Sequence, residues 1–248
     1  VSLDKALEVY KTRFANPADF IFFFVGNVDP ADKAFQTQVC TWLGGLKTCK
    51  KLETAADDKV RVSLGKNQNY FTRQMETKTA SNRIQYTSYD IPYTLANNLN
   101  MEMIGRILST RYLESIRERE GGSYGVGCAG RMNRYPVPYA QLIMQFDTDP
   151  EKQEKLMSII HEEVMTIVEN GSLAKDLQKE KESMLKDFEE DIEKNGYWNS
   201  ILSMYYKNGI NYITDYKSAV EAITAETVQA TLKKLVDAGN VFEVVMLP

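Results

Sequence analysis

The sequence predicts an α+β fold: a mostly antiparallel sheet covered on one face by a layer of helices. Three observations carry this expectation. Short apolar or alternating segments recur in neighbouring pairs near residues 70–90 and 124–148, as the strands of hairpins do. Helical periodicity then runs almost unbroken from residue 150 to residue 238, and a strand-like segment follows it. No stretch rich in Gly, Pro or Ser divides the chain, so residues 1–248 read as one domain.

Leu3, Ala6, Leu7, Tyr10 and Phe14 recur at helical spacing and predict a first helix that ends near Asn16-Pro17. The unbroken apolar run at 20–25 predicts a strand buried on both faces, closed by Gly26-Asn27. Asp29-Pro30 can open a second helix, with Ala34, Phe35, Val39, Trp42 and Leu43 on its inner side and Gly44-Gly45 at its end. Residues 46–69 are polar and weakly patterned, with an edge segment expected at 60–62. Strands are expected at 70–76 and 83–90, the second with one covered and one wet face.

Residues 97–119 read as a long helix whose stripe is Leu99, Met103, Ile104, Ile107, Leu108, Tyr112 and Ile116. After Gly121-Gly122, strands are expected at 124–134 and 139–148. Pro150 lacks the amide proton that a first helical turn would leave unpaired, so a helix opens there and ends at Asn170-Gly171. Leu156, Ile159, Ile160, Val164, Ile167 and Val168 form its inner face. Four more helices follow at 173–194, 197–207, 213–222 and 225–238; in the first, Leu177, Met184, Leu185, Phe188 and Ile192 face inward. Thr224 resembles an N-cap, but Thr227 is not the Glu of a capping box. A terminal strand is expected at 240–246.

Lys and Arg number 30 against 34 Asp and Glu, a net charge of -4. That argues against broad nucleic-acid binding, which needs a basic footprint. No segment reaches the length of an apolar membrane span. Cys40 and Cys49 are candidates for a pair, yet three cysteines make no disulfide framework and read as free or buried thiols. The chain begins Val1-Ser2-Leu3, as a mature product or an excised fragment would.

The chemistry available is narrow. His161 is the one histidine. Helical zinc sites need two histidines on one face, and the position four residues after His161 is Met165. No metal site is therefore expected, and His161 reads as a surface or interfacial helix residue. A Ser-His-Asp or Cys-His system would have to use the same residue and finds nothing specific around it. The glycines of 121–127 follow a helix and enter a strand, the reverse of a phosphate-binding loop. What remains is Arg117 and Tyr124, seven positions apart across the Gly121-Gly122 bend. A permanent cation and a directional donor that converge there could hold a polarised carbonyl or an oxyanion.

The segment Leu108-Ser109-Thr110-Arg111-Tyr112-Leu113-Glu114-Ser115-Ile116-Arg117-Glu118-Arg119-Glu120-Gly121-Gly122-Ser123-Tyr124-Gly125-Val126 resembles a motif of the M16 zinc peptidases, the pitrilysin, insulin-degrading enzyme and mitochondrial processing peptidase family. Phe23-Phe24-Val25-Gly26-Asn27-Val28-Asp29 is similar to the strand that opens the C-terminal domain of that family. The resemblance implies a zinc-free C-terminal half with an M16 peptidase-like fold. A partner catalytic half, from the same gene or a separate subunit, would carry the zinc, and an extended peptide would be the substrate. Arg117 and Tyr124 match the arginine and tyrosine with which this half contacts substrate near the scissile bond. Tyr124 would contact the carbonyl or oxyanion, with no catalysis by this chain alone. Glu120-Gly121-Gly122-Ser123 departs from the Arg-Gly-Leu-Ala that often precedes that tyrosine. The resemblance points to the periplasm or cell envelope rather than the cytoplasm. The other reading is a scaffold or peptide-binding subunit without peptidase use.

Overall fold

A computed structural model describes residues 2–49, 52–54, 56–74, 76, 78–119, 121 and 125–248. It is built on a five-stranded sheet in the order β1-β5-β2-β4-β3. The strands are β1 (Lys66–Thr72), β2 (Ala80–Ser88), β3 (Gly127–Asn133), β4 (Tyr139–Thr148) and β5 (Asn240–Leu247). All neighbours pair antiparallel except β1 with β5. The pairing expected of hairpins holds for β3 and β4. It fails for β1 and β2, because the C-terminal strand inserts between them and runs parallel to β1.

The helices are α1 (Leu3–Arg13), α2 (Lys33–Trp42), α3 (Leu95–Tyr112), α4 (Gln153–Asn170), α5 (Ala174–Asp191), α6 (Asn195–Asn208), α7 (Tyr216–Glu221) and α8 (Ala225–Asp237). Thr94 caps α3 by accepting from Asn97 N, and α3 runs on into a π-helical turn, Leu113–Arg119. Every residue of the expected α3 stripe is fully buried. So are Leu156, Ile160, Val164 and Ile167 of α4 and Leu142 and Met144 of β4. On α8, Thr224 and Thr227 cap each other's backbone reciprocally, so a threonine fills the role a capping glutamate would have. Ile192, expected inside, is exposed just past the end of α5.

The N-terminal part departs from expectation. Residues 20–25 form no strand, and Ile21, Phe22 and Phe24 are exposed. An apolar run is buried on both faces only if the sheet has a slot for it, and here β5 occupies the interior position. The run instead makes ring contacts, Phe23 with Tyr206 of α6 at 5.6 Å and Phe24 with Phe35 of α2 at 5.3 Å. The apolar positions of α1 and α2 are not buried; Leu3 and Trp42 are among the most exposed side chains. The segment at 60–62 is not a strand either. Arg61 there pairs with Asp57 through Nη1 and Nη2, at 2.8 and 2.7 Å.

The helical layer is seated on the sheet by a close crossing. Gly105 of α3 lies over Gly130 of β3, and a Cβ at Gly105 would come within 2.6 Å of the Gly130 amide nitrogen. A Cβ at Gly130 would land on the carbonyl oxygen of Met101. Ser109 spans the crossing, its one hydroxyl hydrogen shared between Gly105 O at 2.8 Å and Cys128 O at 3.2 Å. Gly130→Ala is expected to cost about 3 kcal/mol, because neither backbone can give way inside a packed layer. Gly127→Ala on the same strand meets nothing closer than Gln145 O at 3.7 Å, and should stay within about 0.5 kcal/mol. Urea midpoints of the two variants test the contrast.

Burial pushes the phenols of Tyr86, Tyr112, Tyr212 and Tyr216 above their ordinary range. A folded-state pKa above the unfolded value near 10 gives stability that is complete below that pH and is lost as pH rises through the folded value. Urea midpoints should therefore be level up to about pH 9.5 and fall above about pH 10. A midpoint that rises over the same interval would contradict this burial.

Candidate functional site

The sequence places its two candidate side chains on either side of the α3–β3 connection. Buried charge secures the C-terminal end of α3. Arg111 is 9% exposed, and its guanidinium meets Glu163 of α4 at 3.3 Å and Asp176 of α5 at 3.5 Å. The second contact is an ion pair without an aligned hydrogen bond, since Arg111 Nε has no hydrogen-bond acceptor. Just before it in the chain, Thr110 donates to the buried carboxylate of Glu180 at 3.0 Å. The π turn is then held by buried Ser115 and Ile116, and Arg117 next to them stands exposed.

Tyr124 lies outside the described residues, together with Glu120, Gly122 and Ser123. The convergence of Tyr124 with Arg117 therefore rests on their spacing. Gly121 adopts φ +54°, a left-handed conformation that favours glycine, and its carbonyl accepts from Lys152 Nζ at 3.3 Å. On the far side Gly125 is exposed and Val126 is buried.

Gly125 opens onto the sheet face that the helices leave uncovered. A cavity of about 590 Å³ lies there, lined by Ser81, Arg83, Gly125, Gln145, Asp147 and Met246 among others. The register explains the grouping. Arg83 of β2 is paired with Gln145 of β4, which is paired in turn with Gly127 of β3, so one line of side chains leads from Arg83 to the bend. The sequence analysis missed this line. Its signal was the alternation along β2, which puts Ser81, Arg83 and Gln85 on the wet face.

His161 is interfacial, and its partners come from distant parts of the chain. Its Nδ1 lies 2.6 Å from the Tyr86 hydroxyl of β2, and its Nε2 lies 2.9 Å from Glu243 of β5. Burial, and then the charge of Glu243, hold the Tyr86 phenol protonated. A carboxylate only accepts, so the ring hydrogen sits on Nε2 and donates to Glu243, which leaves Nδ1 to accept from the Tyr86 hydroxyl. Gln68 and Tyr70 of β1 donate to the other Glu243 oxygen at 2.8 and 3.3 Å. The network ties α4 to three strands and borders a cavity of about 600 Å³ on the covered side of the sheet.

The family resemblance implies zinc in a partner half, and the donor set of the described residues does not fit a zinc site. Both nitrogens of the single histidine are committed, and no group of three His, Cys, Asp or Glu side chains suited to a metal occurs among the described residues. Cys40 and Cys128 are free thiols, and Cys40 and Cys49 are exposed. Among the described residues no helix is long and apolar enough to cross a membrane.

Comparison with known proteins places this geometry in a family. A family described as "Peptidase M16 inactive domain" matches residues 1–184. The fold superposes on the periplasmic protease PqqL from Escherichia coli with TM-score 0.71 and 17% identity, covering 90% of this chain and 24% of that one. A protease from Helicobacter pylori gives TM-score 0.74 at 12% identity, over 90% of this chain and 54% of that one. A peptidase M16 inactive domain from Pseudomonas fluorescens gives TM-score 0.63 at 18% identity, over 90% and 52%. The chain thus spans from about a quarter to about half of the proteins it resembles. No curated protein matches it in sequence.

The His161 network has a measurable consequence. Tyr86→Phe removes a buried donor and leaves His161 Nδ1 unsatisfied, which should cost about 1–3 kcal/mol in urea unfolding. Nitrogen-15 NMR of the wild-type ring at neutral pH should show the Nε2–H tautomer. The opposite tautomer would reverse the donor assignment.

Proposed function

The chain belongs to the peptidase M16 family, matching its inactive domain, and from that premise we propose that it is the zinc-free, substrate-gripping half of a zinc-dependent peptidase. The carrying observation is that Gly125, eight positions after the exposed Arg117, lines a cavity on the open sheet face. In this reading all 248 residues act as one inactive domain. A partner half, from the same gene or a separate subunit, supplies the zinc and the general base.

Arg117 is an exposed, permanent cation at the end of a helix fixed from behind by buried charge. Its role is to orient the peptide backbone and to add positive potential beside the scissile bond. Tyr124 donates a hydrogen bond to the scissile carbonyl and keeps it as negative charge grows on that oxygen. A donor of this kind contributes about 3 kcal/mol when it is preorganised and shielded from water. The peptide lies extended and adds to an exposed sheet edge, for which β1 and β3 are the candidates. The exposed aromatic side chains at 14–24 fit an assembly in which the partner half covers them. The likeness to a periplasmic protease supports a setting in the periplasm or cell envelope.

The test is peptide hydrolysis by the two halves together, with a chelator control. The joined halves should cleave and this chain alone should not. Tyr124→Phe should lower turnover about 100-fold with the fold intact. Unchanged turnover would remove the tyrosine from the mechanism. Metal analysis of this chain alone should find no stoichiometric zinc; a full equivalent would mean that the zinc-free assignment is wrong. An assembly that never cleaves peptides would leave a scaffold.

A further inference from the structure

We infer that the cavity beside Gly125 is a specificity pocket for an acidic side chain of the bound peptide, with Arg83 as the group that reads it. This rests on the peptide-gripping role proposed above and adds a substrate class to it.

The observations concern Arg83 and what surrounds it. The residue is half-buried and lines the 590 Å³ cavity. Among the described residues its guanidinium forms no ion pair. Its one side-chain hydrogen bond, Nη2 to Gln85 Oε1 at 3.3 Å, is long and goes to a neutral amide. The acid on the same wall, Asp147, is not its partner: Asp147 is paired in register with Ser81 and accepts from Ser81 Oγ at 2.7 Å. Gln145 stands directly across from Arg83 and offers amide donors to the same space. Val244, the other register neighbour of Arg83, and Met246 give the cavity an apolar wall.

A guanidinium carries five donors in a fixed fork that fits a carboxylate through two bonds. Arg83 has at most one of those donors engaged, and the apolar wall weakens the screening of its charge. A carboxylate entering the cavity would meet Arg83 on one side and the Gln145 amide on the other. A neutral amide of the same shape could accept a hydrogen bond from the guanidinium, as Gln85 does, but would leave its charge uncompensated. The gain therefore belongs to Glu or Asp rather than to Gln or Asn. The geometry also sets the position along the peptide. The pocket lies on the line that runs from Arg83 through Gln145 to Gly127, so the acid sits close to the bend and not at the far end of the sheet.

The experiment uses the 248-residue chain and two series of fluorescein-labelled decapeptides of Ala and Ser. One series carries a single Glu at each position in turn, the other a single Gln. Affinity is read by fluorescence anisotropy. At one or two adjacent positions the Glu peptide should bind about tenfold more tightly than its Gln counterpart. Arg83→Gln should erase that difference, chiefly by weakening the binding of the Glu peptides. Arg131→Gln, an exposed arginine on the same face of β3, should preserve the difference and so exclude an effect of net charge. Peptides that bind wild type with no preference for Glu, or a preference that survives Arg83→Gln, would overturn the pocket and leave the gripping role standing. Wild-type protein that binds neither series would overturn both. The wild-type comparison needs no variant, so it holds even if Arg83→Gln fails to fold.

Discussion

The crossing of α3 over β3 is the constraint on which the other features depend. Interposed side chains normally hold a helix off the sheet it covers. Gly105 and Gly130 remove that spacer, and backbone meets backbone. The helix is thereby fixed in height and in rotation, because a turn about its axis would bring a Cβ into the contact. Rotation fixed at Gly105 puts Ile107, Leu108, Tyr112 and Ile116 into the core together. It also decides which way the chain faces when it leaves the π turn, and so where Arg117 stands and where the bend begins.

The same crossing makes the two faces of the sheet unequal. The covered face holds Ile84, Leu142, Met144 and Val245, all shielded from solvent. The Tyr86–His161–Glu243 system on that face is closed: every donor and acceptor named in it has a partner. The open face carries arginine, glutamine, serine and small residues in an ordered register. A closed polar network specifies a structure, and an open row of donors and acceptors awaits a ligand. The fold thus separates the chemistry that holds it together from the chemistry that it presents.

How much of this could be read in advance follows from the range of each interaction. The stripe of α3, the face of α4 and the bounds of β4 depend on local period, and local period is visible in the residues themselves. The parallel pairing of β1 with β5 joins segments at opposite ends of the sheet's sequence, and nothing local announces it. The same gap explains residues 20–25: their composition suits an interior strand, but the interior place goes to β5. His161 was legible as interfacial, whereas Tyr86 and Glu243 become its partners only through the register. Arg117 was singled out from its spacing to Tyr124, and the structure adds its exposure and its buried support. Arg83 carried only the mark of a wet strand face, and its meaning depends on Gln145 and Val244, which tertiary pairing brings beside it.

Three arginines show how placement assigns work to one residue type. Arg111 is buried and meets two carboxylates, so its charge is spent within the fold and binds three helices together. Replacing one member of such a group leaves the others buried and unpaired, which is why it serves rigidity and not recognition. Arg117 is exposed, so water screens it, and it gains strength only when a partner surface or a substrate displaces that water. Arg83 lies between them, half-buried and without a counter-charge among the described residues. Partial desolvation of a cation is unfavourable by itself and becomes favourable when an anion arrives. Of the three, Arg83 is therefore the one whose energy in the free protein is highest relative to a bound state, and the one best placed to discriminate between a charged and a neutral ligand.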